Sequence, residues 1–170
     1  MTQSLSGLGG GEMDDNSIKA FVEKPTRNIV EVIYNEQLET SCFNITVVAK
    51  CSELLSKVDL EFKLSSMAVW SNKNLLKRVI NAVFYASVEK ALSSLAKQLE
   101  SNESEDSLEV EIYFEEFRID YEDFYDYYYD ALYEVSSCIS ESSNPIEEMR
   151  DTASKFHTMY SAWSKHVSLA

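Results

Sequence analysis

Apolar residues alternate with polar ones in three stretches of this chain, and in three others they return every third or fourth position. Phe43, Ile45 and Val47 alternate with Asn44, Thr46 and Val48. Val58, Leu60, Phe62 and Leu64 alternate with Asp59, Glu61 and Lys63, and Leu108, Val110, Ile112 and Phe114 with Glu109, Glu111, Tyr113 and Glu115. A period of two puts one side chain set on each face of a strand, so all three predict strands with one buried face. Residues 28–34, rich in β-branched and aromatic side chains, predict a further strand ahead of them. Short polar links at 35–40 and 52–57 suit an antiparallel meander.

The helical periods are longer. Leu75, Leu76, Val79, Ile80, Val83, Val88, Leu92, Leu95 and Leu99 predict a helix over residues 72–100, roughly 40 Å long, whose apolar face lies across the sheet. Tyr121, Phe124, Tyr125, Tyr128, Leu132, Val135 and Ile139 gather on one stripe at about 100° per residue. Asn144-Pro145-Ile146-Glu147 reads as a helix start, with an Asn cap, Pro in the first turn and Glu three residues on. Ile146, Met149, Ala153, Phe156, Tyr160, Trp163 and Val167 then keep 3-4 spacing. That stripe packs as core or forms the seam of a homodimer through residues 146–167, and rings as large as Phe156, Tyr160 and Trp163 favour core. A short capped helix from Asp14-Asp15 through Val22 opens the series. The predicted class is α+β: an antiparallel meander of three to four strands packed by a long helix, with two C-terminal helices.

Composition divides the chain. All four glycines fall within the first eleven residues, so residues 1–12 read as a flexible Ser/Gly-rich tail and 13–170 as one domain. Phosphate-cradling loops and dinucleotide fingerprints need glycine and are absent from the domain. No apolar run is long enough to span a bilayer, and Met1-Thr-Gln-Ser-Leu-Ser lacks the start of a secretory signal. Cys42, Cys51 and Cys138 are odd in number and form no CxxC pair, as expected of reduced thiols in the cytoplasm.

Charge then changes the picture. Residues 100–151 hold eighteen carboxylates and two basic residues, a balance of −16, whereas the whole chain is −14; the other 118 residues therefore sum to +2. The acid is local. At its centre, Asp120, Asp123, Asp126, Asp130 and Glu134 fall on the helical face opposite the aromatic stripe, flanked by Tyr127, Tyr129 and Tyr133. Carboxylates three or four residues apart on a helix sit about 5–6 Å apart, similar to phosphates along a strand. Like charges at those steps destabilise the helix, and no Lys or Arg between Arg118 and Arg150 relieves them. A solvated face is the plain reading; the uncompensated repulsion argues for a binding face.

Catalytic chemistry finds little support. His157 and His166 lack zinc-ligand spacing, no Gly-x-Ser-x-Gly occurs, and no EF-hand frame exists. Neither a metal nor another cofactor is expected. Lys73, Lys77 and Arg78 are too small a basic patch for direct nucleic-acid binding, and the acid repels membranes as well. The expectation is a non-enzymatic acidic inhibitor that meets a basic, nucleic-acid-handling protein with a phosphate-backbone mimic. The residues expected to carry it are Asp120, Asp123, Asp126, Tyr127, Tyr129, Asp130, Tyr133 and Glu134, with Glu109, Glu111 and Glu115 on the strand over 108–116. Viral anti-defence proteins and immunity proteins of nuclease toxins use this strategy. The alternative is a dimeric, acidic, secretion-type chaperone that holds client segments on apolar surfaces.

Overall fold

A computed structural model describes residues 30–31, 34, 42–64, 72–101, 109–119, 122–123, 129–162 and 167–169. The expected tail over 1–12 and the helix over 14–22 lie outside these. Alternation produces strands where it is cleanest. β1 (Cys42–Cys51) and β2 (Leu54–Leu64) form a hairpin closed by Ser52 and Glu53 alone. Ser52 takes a φ of 55°, the left-handed value that a two-residue turn requires at its first position. With no glycine in this part of the chain, a serine accepts that conformation.

β3 (Val110–Ile119) pairs with the other side of β1. Phe114 and Phe117 are both buried although they stand three residues apart, which a regular strand would forbid. A register shift opposite Thr46/Val47 resolves the conflict. The extra residue of this bulge returns Phe117 to the core face, where its ring meets Phe114 edge-on at 5.2 Å. β4 (Glu122–Asp123) pairs with the end of β3, and β5 (Val167–Leu169) pairs with β2. The sheet is antiparallel throughout, in the order β4-β3-β1-β2-β5.

α1 (Lys73–Ser101) crosses one face of the sheet as predicted. Asn72 starts it, its Oδ1 accepting from the backbone N–H groups of Asn74 (3.1 Å) and Leu75 (3.2 Å). Every residue from 79 to 88 is buried, so the helix is covered on all sides, not on one stripe alone. Phe84 meets Phe114 of the sheet at 5.7 Å, while Tyr85 meets Phe156 at 5.3 Å. Phe156 belongs to α3 (Pro145–Ser161), which forms the outer layer over α1.

The α3 start follows the sequence reading. Asn144 Oδ1 accepts from the Glu147 backbone N–H at 3.3 Å, and Asn144 Nδ2 donates to Glu147 Oε2 at 3.2 Å. Met149, Ala153 and Phe156 of the 3-4 stripe lie in the chain's own core. Arg150 donates two hydrogen bonds to the Glu100 carboxylate, linking α3 to the end of α1. The fold class is therefore α+β, with the sheet packed by a long helix and two C-terminal helices.

Two expected elements differ. The described residues of the 28–34 stretch, Val30, Glu31 and Tyr34, are helical. Val30 is buried and Tyr34 half-buried against the core, and the Lys73 ammonium lies 5.7 Å from the Tyr34 ring centre. A spacing of four that buries one side beside α1 outweighs the strand preference of β-branched side chains. The terminal helix stops at Ser161, and Val167 sits instead in β5, opposite Leu64. Hydrogen bonding to the edge of β2 takes that segment out of the helical period. Among the described residues no helix is long and apolar enough to cross a membrane.

Candidate functional site

A strand at the rim of a sheet has backbone N–H groups that need acceptors. On β3 those of Val110 and Ile112 face away from β1, and a helix supplies the acceptors. α2 (Tyr129–Ser140) lies against β3 with Leu132, Val135 and Ile139 buried. Ser136 Oγ accepts from Ile112 N–H at 2.9 Å and donates to the Leu132 carbonyl at 2.9 Å. Ser140 Oγ accepts from Val110 N–H at 2.9 Å and donates back to the Val110 carbonyl at 3.2 Å. Two serines four residues apart therefore stand in for a neighbouring strand.

This docking leaves a groove of about 710 Å³ between β3 and α2. Ile112, Leu132 and Ser136 contribute to its lining, as do the carboxylates of Glu109, Glu111 and Glu141. Tyr113, Tyr129 and Tyr133 supply aromatic walls, and Lys50 enters from β1. Tyr129 is 66% and Tyr133 61% exposed, unusual for rings of this size. Asp130 and Glu134 are exposed on the same helix, with Asp130 in its first turn, where the helix dipole favours an anion.

Four residues singled out from the sequence, Glu109, Glu111, Tyr129 and Tyr133, thus share one groove. Asp130 and Glu134 stand beside it. Glu115 lies on β3, past the groove. The single helical row does not form: Glu122 and Asp123 are extended and pair with Ile119 and Arg118 of β3. Backbone pairing with β3 outcompetes a helix that would stack like charges and mediocre helix formers. Asp120, Asp126 and Tyr127 lie outside the described residues.

The carboxylates of the open sheet face are also less solitary than the local charge count implies. Lys50 Nζ lies 3.6 Å from Glu111, and Lys57 Nζ 3.2 Å from Glu115. Lys57 stands opposite Val48, whose other neighbour is Tyr113, so its bond to Glu115 spans the middle strand. The hydrogen bond and charge of Glu115 push the Lys57 ammonium above its ordinary pKa. Thr46 Oγ1 donates to Asp59 at 2.7 Å on the same face. The two lysine–glutamate pairs are solvent-exposed, hence weakly held and exchangeable. Lys50, Lys57 and Glu141 escaped the sequence reading because only the strand order brings the lysines to β3. Ser136 and Ser140 carried a readable signal: polar residues at i and i+4 beside a buried stripe.

Cys138 is half-buried on α2. Burial first, then the charges of Glu134, Glu148 and Glu141, push its thiol up to about 11. Since the thiolate is the reactive form, alkylation by iodoacetamide should be slow at neutral pH and accelerate up to about pH 11. Rapid, pH-independent labelling of Cys138 between about pH 6 and about pH 8 would contradict that environment. His157 is an exposed histidine 3.7 Å from Glu89. Among the described residues, no group of three His, Cys, Asp or Glu side chains could hold a metal ion.

Fold and site define an α+β protein with an acidic, tyrosine-walled groove where a helix caps its sheet. No protein-family model, curated protein or solved structure matches the chain.

Proposed function

We propose that this chain is a non-enzymatic acidic protein that binds a basic, nucleic-acid-handling partner and competes with nucleic acid for it. The observation that carries this reading is the gathering of Glu109, Glu111, Tyr129 and Tyr133 around one groove, with Asp130 and Glu134 exposed beside them. Carboxylates there can pair with the lysines and arginines by which the partner grips phosphate, and tyrosines add contact area at small entropic cost. The binding surface is the β3–α2 edge rather than one straight helical rod. The free thiol of Cys138 suits a reducing compartment, so the proposal sets this activity in the cytoplasm.

The test is capture from a native lysate at low salt, followed by elution with duplex DNA. Basic nucleic-acid binders should be retained, released by DNA, and released again by salt, which screens exposed charges beyond about 8 Å at physiological strength. A variant combining Glu109→Gln, Glu111→Gln, Asp130→Asn and Glu134→Gln should lose retention at least roughly tenfold, since charge-pair loss at interfaces costs that much or more. Retention that withstands DNA and salt, or an unchanged quadruple variant, would overturn the reading.

A further inference from the structure

A phosphate mimic presents a ridge that fills a furrow in its partner. The site beside α2 is the opposite shape. Its concavity, about 710 Å³ in volume, is suited to receiving a group that protrudes. The lining narrows the choice of group. Three carboxylates (Glu109, Glu111, Glu141) and one ammonium (Lys50) leave a balance of 3 − 1 = 2 negative charges. Tyr129 and Tyr133 hold rings at the mouth that are more than half exposed, and Ile112 and Leu132 make part of the lining apolar.

An occupant that satisfies all three features has a cationic head, a flat face to lie on a tyrosine ring, and an apolar stem. Arginine has each of these: its guanidinium stacks on aromatic faces, pairs with a carboxylate through two parallel N–H groups, and stays charged. Lysine shares the charge and the stem but has no flat face. We infer that the β3–α2 groove is a socket for an arginine side chain carried on a protruding segment of a partner protein. The inference rests on the proposal that this acidic edge is a partner-binding surface, and it names the group that enters.

Lys50 is the resident competitor. Its ammonium already sits 3.6 Å from Glu111, with both side chains exposed, so an incoming guanidinium displaces it at little cost. This gives the socket an unusual property: removing a residue that lines it should strengthen binding.

The probes are two fluorescent peptides of equal length in a Gly/Ser background, one bearing arginines and the other lysines at the same positions. Fluorescence anisotropy against the full chain reads their affinities. The arginine peptide should bind about fivefold more tightly than the lysine peptide, the increment expected from stacking and bidentate pairing. Tyr129→Ala and Tyr133→Ala should each weaken the arginine peptide by about threefold and the lysine peptide by less. Lys50→Gln should tighten the arginine peptide by about threefold, a gain that damage to the fold cannot produce. All three positions lie at the surface, so the variants leave the core intact. Equal affinities for the two peptides, unaffected by the tyrosine and lysine changes, would overturn the socket while leaving a general acidic surface standing. Binding of neither peptide would also overturn it, and DNA-sensitive capture of basic proteins then decides separately whether the acidic surface itself binds.

Discussion

Phe84→Ala should destabilise the protein by about 3–5 kcal/mol, the range for deleting a fully buried phenylalanine. Phe84 is fully buried in the stretch of α1 that is covered on every side. Its ring meets Phe114 at 5.7 Å and Tyr85 at 6.3 Å, both edge-on. Phe114 in turn rests on Phe117 across the bulge of β3, and Tyr85 rests on Phe156 of α3. One side chain therefore joins the sheet, the central helix and the outer helix, and its removal opens a cavity where these layers meet. Urea unfolding should show a lower midpoint with an unchanged slope. Leu55→Ala is the control: Leu55 is 49% exposed, and its loss should cost within about 0.5 kcal/mol. A loss below about 1 kcal/mol for Phe84→Ala would mean that the aromatic chain through Phe114 and Phe117 does not anchor β3.

Ser136→Ala is expected to cost about 1–3 kcal/mol, although it removes one oxygen atom. The hydroxyl accepts from the buried Ile112 N–H and donates to Leu132. Alanine fits the space but leaves the Ile112 donor without its acceptor. Ser154→Ala, at an exposed position on α3, should stay within about 0.5 kcal/mol. Amide hydrogen exchange gives the local readout. The Ile112 amide should lose protection while amides in the middle of β1 keep theirs at the stability of the whole. Equal effects at Ile112 and β1 would show that Ser136 acts through global stability instead of holding α2 to the sheet edge.

Both variants bear on why parts of this protein could be read early. β1, β2, β3, α1 and the start of α3 follow from side-chain periodicity and capping, which depend on neighbours within a few residues. Glu109, Glu111, Tyr129 and Tyr133 were visible as an acidic and aromatic concentration, and the fold gathers them. Other readings failed where a local preference met a distant partner. Val30 and Tyr34 are helical because a helix buries them beside α1, whatever β-branching favours. Glu122 and Asp123 are extended because β3 offers a ladder. Val167 leaves the helical stripe because β2 has a free edge.

The chain's own pattern decided its α+β class, its long central helix, the alternating faces of its hairpin and the location of its acid, since each depends on spacing and composition along the backbone. Only the tertiary structure decided that β3 would lie beside β1, and with that every charge and contact at the groove. This placement brings Lys50 to Glu111 and Lys57 to Glu115, and it bares an edge that Ser136 and Ser140 must cover. Pairing between distant strands depends on which edges remain unsatisfied once the core has closed, and no stretch of sequence holds that information by itself.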